Sequence, residues 1–199
     1  MGTSGPHCPT GRRIAVTLGD PRGIGPEVMP RAALDLGPGF PSGTIVLLGP
    51  DGMDPGVGPY RSVGRWDGTQ AGAGRVTADA IRLGVEMARE GAVGALVTGP
   101  SHKPALQEAG WKVPGQTEML QALAGVAEVG MLMCAETTAL GAPLRVLLAT
   151  THLPLRDLFK HLTAELLASQ TRLLARSLME DWAMARPRLG LCAVNPHAG

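Results

Sequence analysis

Aromatic residues make up only 3% of this 199-residue chain: three Trp, one Tyr and two Phe. Stacking platforms for nucleobases are therefore scarce, and the core must rest on aliphatic side chains and Met. Neither charge is in excess: 18 Lys and Arg face 17 Asp and Glu, a net charge of +1. Without basic clusters, that balance argues against nucleic acid or an anionic membrane as a partner. Cysteine is sparse too. Cys8, Cys134 and Cys192 are odd in number, far apart and free of CxxC spacing, which excludes a disulfide scaffold. No apolar run approaches the length of a membrane span, and the opening MGTSGPHCPTGRR lacks the apolar stretch of a signal peptide. The expectation is a soluble, cytoplasmic protein with reduced thiols.

What is plentiful is aliphatic sequence, in a chain that is 44% hydrophobic, punctuated by 28 Gly and 17 Pro. These breakers are scattered between apolar segments, so they read as turns and loop-built sites. Short apolar runs at 14–18, 44–48 and 95–97 predict buried strands. A proline-started helix follows the first, with Val28, Met29, Ala32, Ala33 and Leu36 on its apolar face. Residues 49–75 read as loop and about 76–90 as a helix. Further helices are expected near Ser101, from Thr117, and over 163–182 with a stripe of Leu166, Leu167, Leu173, Leu174 and Leu178. Runs at 131–135 and 144–149 predict an antiparallel pair, and 189–194 a last strand. Strands alternating with amphipathic helices predict an α/β fold, a largely parallel sheet with flanking helices.

Five segments could carry chemistry, because α/β proteins bind ligands beyond the carboxyl ends of their strands. Gly19-Asp20-Pro21-Arg22-Gly23-Ile24-Gly25-Pro26-Glu27 could cradle an anion, yet Val28 breaks any GxGxxG pattern, and spacing alone favours a plain tight turn. In Thr98-Gly99-Pro100-Ser101-His102-Lys103, Lys103 could meet a phosphate as a point charge. An exposed lysine is the plain alternative, and a solvated histidine is the stronger reading of His102. Thr117, in Pro114-Gly115-Gln116-Thr117-Glu118, could cap a helix or bind an anion there. His152, in Thr150-Thr151-His152-Leu153-Pro154, and His197, in Asn195-Pro196-His197-Ala198-Gly199, could share a divalent metal. Alone, each is more often a satisfied loop histidine. His7 and His161 have weaker claims.

Taken together and in order, these segments resemble the 4-hydroxythreonine-4-phosphate dehydrogenase family of pyridoxal phosphate biosynthesis. The resemblance is carried by Val16-Thr17-Leu18-Gly19-Asp20-Pro21-Arg22-Gly23-Ile24-Gly25-Pro26-Glu27, by Ala149-Thr150-Thr151-His152-Leu153-Pro154-Leu155-Arg156-Asp157, and by the Asn195-Pro196-His197-Ala198-Gly199 motif. It implies an isocitrate/isopropylmalate-dehydrogenase-like fold and a homodimer. It also implies oxidation of a phosphorylated hydroxy amino acid by NAD (or NADP), with loss of carbon dioxide, assisted by a divalent metal (Zn, Mg or Co). By motif position, His152 and His197 would be metal ligands, Gln116 and Thr117 would bind substrate, and Lys103 would lie close by. The family usually has His where this chain has Gln116, and glutamine cannot change charge near neutral pH. A related dehydrogenase for another phosphorylated hydroxy acid is therefore the alternative. Family members continue well past Gly199, so the expectation is a mobile tail at 1–13 and a partial α/β dehydrogenase domain at 14–199, incomplete at its C-terminus. An inert truncated chain is a further alternative.

Overall fold

Strand β1 (Arg13–Thr17) lies between two later strands, β2 (Ile45–Gly49) and β4 (Val93–Val97). The computed structural model describes residues 13–36, 41, 43–195 and 197. These fall into two compact units, divided along the sequence between Ala127 and Glu128. In the first, a four-stranded sheet runs β3-β2-β1-β4, every pairing parallel, with β3 (Tyr60–Ser62) at one edge. Side chains alternate across it. Ala15, Val46 and Leu48 join one core cluster, while Val16, Leu18 and Leu47 join another with Met29. Burying each Leu or Val contributes about 1.5–3 kcal/mol, so the two faces together anchor this unit.

Helix α2 (Gln70–Arg89) covers the first face through Ala80, Leu83 and Met87. It begins six residues before the expected start because Thr69 caps it, its hydroxyl accepting from the Gly72 N–H. On the other face, α1 (Gly25–Asp35) contributes Met29, whereas Val28 and Leu36 of the expected apolar face are exposed. Ala78 and Ile81 of α2 also pack against Leu106 of α3 (Lys103–Glu108) and Met119 of α4 (Gln116–Ala124). Contact there is close. A Cβ on Gly74 would lie 1.9 Å from the Ala105 carbonyl oxygen.

In the second unit, β5 (Met131–Ala135) and β6 (Leu144–Leu148) form the expected antiparallel pair, Met133 opposite Val146. A 3-10 turn at Leu155–Asp157 leads into the short α5 (Leu158–His161). Then comes α6 (Ala164–Glu180), whose cap Thr163 accepts from the Leu166 N–H and whose Leu178 is buried. The last expected strand is not formed. Residues 189–194 pair with no strand among the described residues, leaving Leu191 and Val194 exposed. An apolar run becomes a strand only where a partner takes up its backbone N–H and C=O groups.

Candidate functional site

The loops that follow β1 and β4 touch. Gly19 has φ +80°, and a Cβ there would sit 2.2 Å from the Pro100 carbonyl oxygen; only glycine allows both the left-handed backbone and the close approach. The Asp20 N–H donates to Pro100 O at 2.8 Å, and the Gly99 N–H to Thr17 Oγ1 at 3.0 Å. The two segments singled out by sequence are thus locked together at the carboxyl ends of neighbouring parallel strands.

Asp20 is buried at this junction. It accepts from the backbone N–H of Arg22 and, in a two-point fork, from Arg22 Nε (3.0 Å) and Nη2 (2.8 Å). Burial pushes its carboxyl upward and is the largest single influence, but the Arg22 hydrogen bonds and the Arg22 charge act against it, and the net shift is downward. Three of the loop's N–H groups are not open to an external anion. The Asp20, Arg22 and Gly23 N–H groups are taken by Pro100, the Asp20 carboxylate and the Asp20 carbonyl. Arg22 reaches further, its Nη1 donating to Gln70 Oε1 at 2.9 Å and its Nη2 lying 3.1 Å from His102 Nδ1. Gln70 in turn donates to Glu108 of α3.

Gln116 binds the second loop with its whole amide. Its Oε1 accepts from Thr98 Oγ1 at 2.7 Å; its Nε2 donates to Ser101 Oγ at 2.8 Å and Gly99 O at 3.2 Å. The carbonyl partner fixes which end of the amide is nitrogen. Thr117 does not cap α4, which was one of the two roles open to it. The cap is Gly115, in extended backbone, and Thr117 sits inside the first turn. Lys103, at the start of α3, lines an open groove with Gln107, Lys112, Val113 and Pro114.

The two expected metal ligands belong to the second unit, His152 beyond β6 and His197 in the final segment. Both are exposed, and both have left-handed backbone, with φ 55° and 70°. Such conformations are uncommon outside glycine and cluster at functional sites. Among the described residues, no three His, Cys, Asp or Glu side chains gather to hold a metal. The expectation for His7 lies outside the described residues. Sequence reasoning missed the linkage of Arg22 to Gln70 and His102, because partners 48 and 80 residues apart leave no local signature.

The family model for "Pyridoxal phosphate biosynthetic protein PdxA" matches residues 55–199. The chain belongs to the PdxA family. A 4-hydroxythreonine-4-phosphate dehydrogenase of Thermosynechococcus vestitus is 34% identical over 94% of this PdxA chain and 60% of its own length. A provisionally named D-threonate 4-phosphate dehydrogenase of Bradyrhizobium diazoefficiens is 32% identical over 96% of this chain and 62% of its own. The solved 4-hydroxythreonine-4-phosphate dehydrogenase of Klebsiella pneumoniae superposes with a TM-score of 0.82 at 29% identity, covering 94% of this chain and 65% of that one. The chain spans about six tenths of the length of the curated relatives it matches. The fold is the isocitrate/isopropylmalate-dehydrogenase-like α/β fold that the resemblance implied.

Proposed function

We propose that this PdxA chain serves the oxidation, with decarboxylation, of 4-phosphohydroxy-L-threonine by NAD (or NADP) in pyridoxal 5'-phosphate biosynthesis. The observation that carries this is the family match over residues 55–199, supported by similarity to proteins named for that dehydrogenase. Lys103 offers its ammonium to the substrate's phosphoryl group along the groove it shares with Lys112. Thr117 offers a hydroxyl from the first turn of α4. Gln116 acts on the substrate through the loop it holds, since its amide is already bonded to Thr98, Gly99 and Ser101. His152 and His197 would supply two imidazole ligands to a divalent ion, whose contribution is to polarise the hydroxyl being oxidised. Two ligands are too few to close a site by themselves. The protein is taken to be a cytoplasmic homodimer. None of the helices is long and apolar enough to cross a membrane among the described residues.

A second reading is favoured by Gln116 and by the D-threonate 4-phosphate relative: the substrate is another phosphorylated hydroxy acid, such as phosphorylated threonate or erythronate. The deciding assay follows NADH or NADPH formation by the purified chain with divalent metal. Turnover of 4-phosphohydroxythreonine supports the first reading, and turnover of only the threonate or erythronate ester supports the second. No turnover of either marks the 199-residue chain as inert by itself. For the metal, His152→Ala and His197→Ala should each abolish Zn binding measured by calorimetry. Unchanged binding in both would remove these residues from the ligand set.

A further inference from the structure

We propose that His102 is a preorganised hydrogen-bond donor for a phosphoryl oxygen of the ligand, aimed by the Asp20–Arg22 pair. This rests on the reading above that the ligand carries a phosphoryl group. Arg22 Nη2 lies 3.1 Å from His102 Nδ1. A guanidinium has only N–H groups to offer, so Nδ1 must be the acceptor. The ring is therefore neutral, with its proton on Nε2. The two ring nitrogens diverge, so Nε2–H is directed away from Arg22, and His102 is exposed.

This donor is held from two sides. Asp20 grips Arg22 through Nε and Nη2, and Gln70 takes Nη1, leaving the guanidinium little freedom. Ser101, the preceding residue, is tied to Gln116 Nε2. A side chain fixed in this way loses little entropy on meeting a ligand. The surrounding charge selects the partner. Arg22 stands at the ring, and Lys103 follows in sequence and shares its groove with Lys112. The nearby carboxylates are already engaged, Asp20 by Arg22 and Glu108 by Gln70. An outward N–H on the residue before Lys103 suits an anionic oxygen. The phosphoryl group could belong to the phosphorylated substrate or to a dinucleotide, and the test separates them.

The experiment uses the full 199-residue chain labelled with 15N-histidine, with inorganic phosphate as probe and neither NAD nor metal added. At neutral pH, His102 should show an unprotonated Nδ1 and a protonated Nε2, and its Nε2 resonance should move saturably with phosphate. His102→Asn keeps an acceptor near the Nδ1 position but has no donor at the Nε2 position. It should weaken phosphate binding about tenfold with an unchanged Tm. Competition with 4-phosphohydroxythreonine and with NAD then assigns the source, because the true ligand displaces phosphate. A protonated Nδ1, a resonance indifferent to phosphate, or equal binding by His102→Asn would each overturn the proposal. So would phosphate that neither competitor displaces, which is an adventitious ion only. Loss of dehydrogenase activity with phosphate binding intact would count against the proposed function and leave this donor standing.

Discussion

Replacing Gln116 with alanine removes three hydrogen bonds at once, to Thr98 Oγ1, Gly99 O and Ser101 Oγ. Each is worth about 0.5–1.5 kcal/mol net in a folded protein. The site is only half-buried, so water can refill it, and the total should fall near the low end, about 2 kcal/mol. Gln116→His tests the same geometry differently. A neutral imidazole has one donor and one acceptor, keeps two partners at best, and should cost about 1 kcal/mol. Gln116→Glu keeps the Thr98 bond but sets a carboxylate against the Gly99 carbonyl. Its place in the first turn of α4 returns about 0.3–1 kcal/mol, so it should fall between His and Ala. Urea unfolding followed by tryptophan fluorescence in a Trp182→Phe background reads this unit alone. Trp66 and Trp111 both lie in it, and Trp111 packs against the cluster that holds Met119. The midpoints should rank wild type, His, Glu, Ala, with unchanged slopes. An alanine variant as stable as wild type would refute the clamp, as would a histidine variant less stable than alanine.

Asp20 has a lowered pKa in the fold, so its contribution to stability is complete above the ordinary aspartate value of about 3.9 and is lost as pH falls through the folded value. Urea midpoints should therefore drop in acid, and Asp20→Asn should flatten that limb; an identical limb in the variant would contradict the assignment. Tyr60 behaves in the opposite sense. Burial first, then Asp54 and Asp51, push its phenol up to about 12, so stability should fall as pH rises from 10 through about 12. Tyr60→Phe, which removes the hydroxyl bonded to Pro50 O, should lose this alkaline decline. Gly74→Ala gains up to about 1 kcal/mol of helix propensity, but its Cβ would sit 1.9 Å from the Ala105 carbonyl. The clash wins: α2 and α3 must separate, and the thermal midpoint should fall, whereas a rise would show that the contact yields.

The parts of the fold legible in the sequence were those with local signals. The runs that became β1, β2 and β4 are continuous aliphatic segments bounded by Gly or Pro, and their sheet is parallel as alternation with helices required. Strand β3 escaped notice because three residues, of which only Tyr60 is a large apolar one, hold no periodicity; its pairing to Leu47, Leu48 and Gly49 defines it. The early start of α2 was hidden by glycines at 72 and 74, which lower helix propensity yet permit close packing against Asp67 and α3. Residues 189–194 had the pattern of a strand without a partner to pair with. At the candidate site, Lys103 and Gln116 were named from their motifs, but the bonds that Gln116 makes were not foreseen. That its amide is spent on Thr98, Gly99 and Ser101 depends on how two loops fold back, and spacing carries no record of it.

The central place of β1 has a temporal side. Its neighbours are made long after it: Ile14 pairs with Ile45 on one edge and Ala95 on the other. At roughly 5–20 residues per second of synthesis, β1 waits about 4–16 s after its own completion before its second partner exists. Throughout that interval one edge of an aliphatic strand stands unsatisfied, open to any other extended segment it meets. The order of strands in space, set against their order of birth, makes the nascent chain most vulnerable before α2 and β4 have emerged.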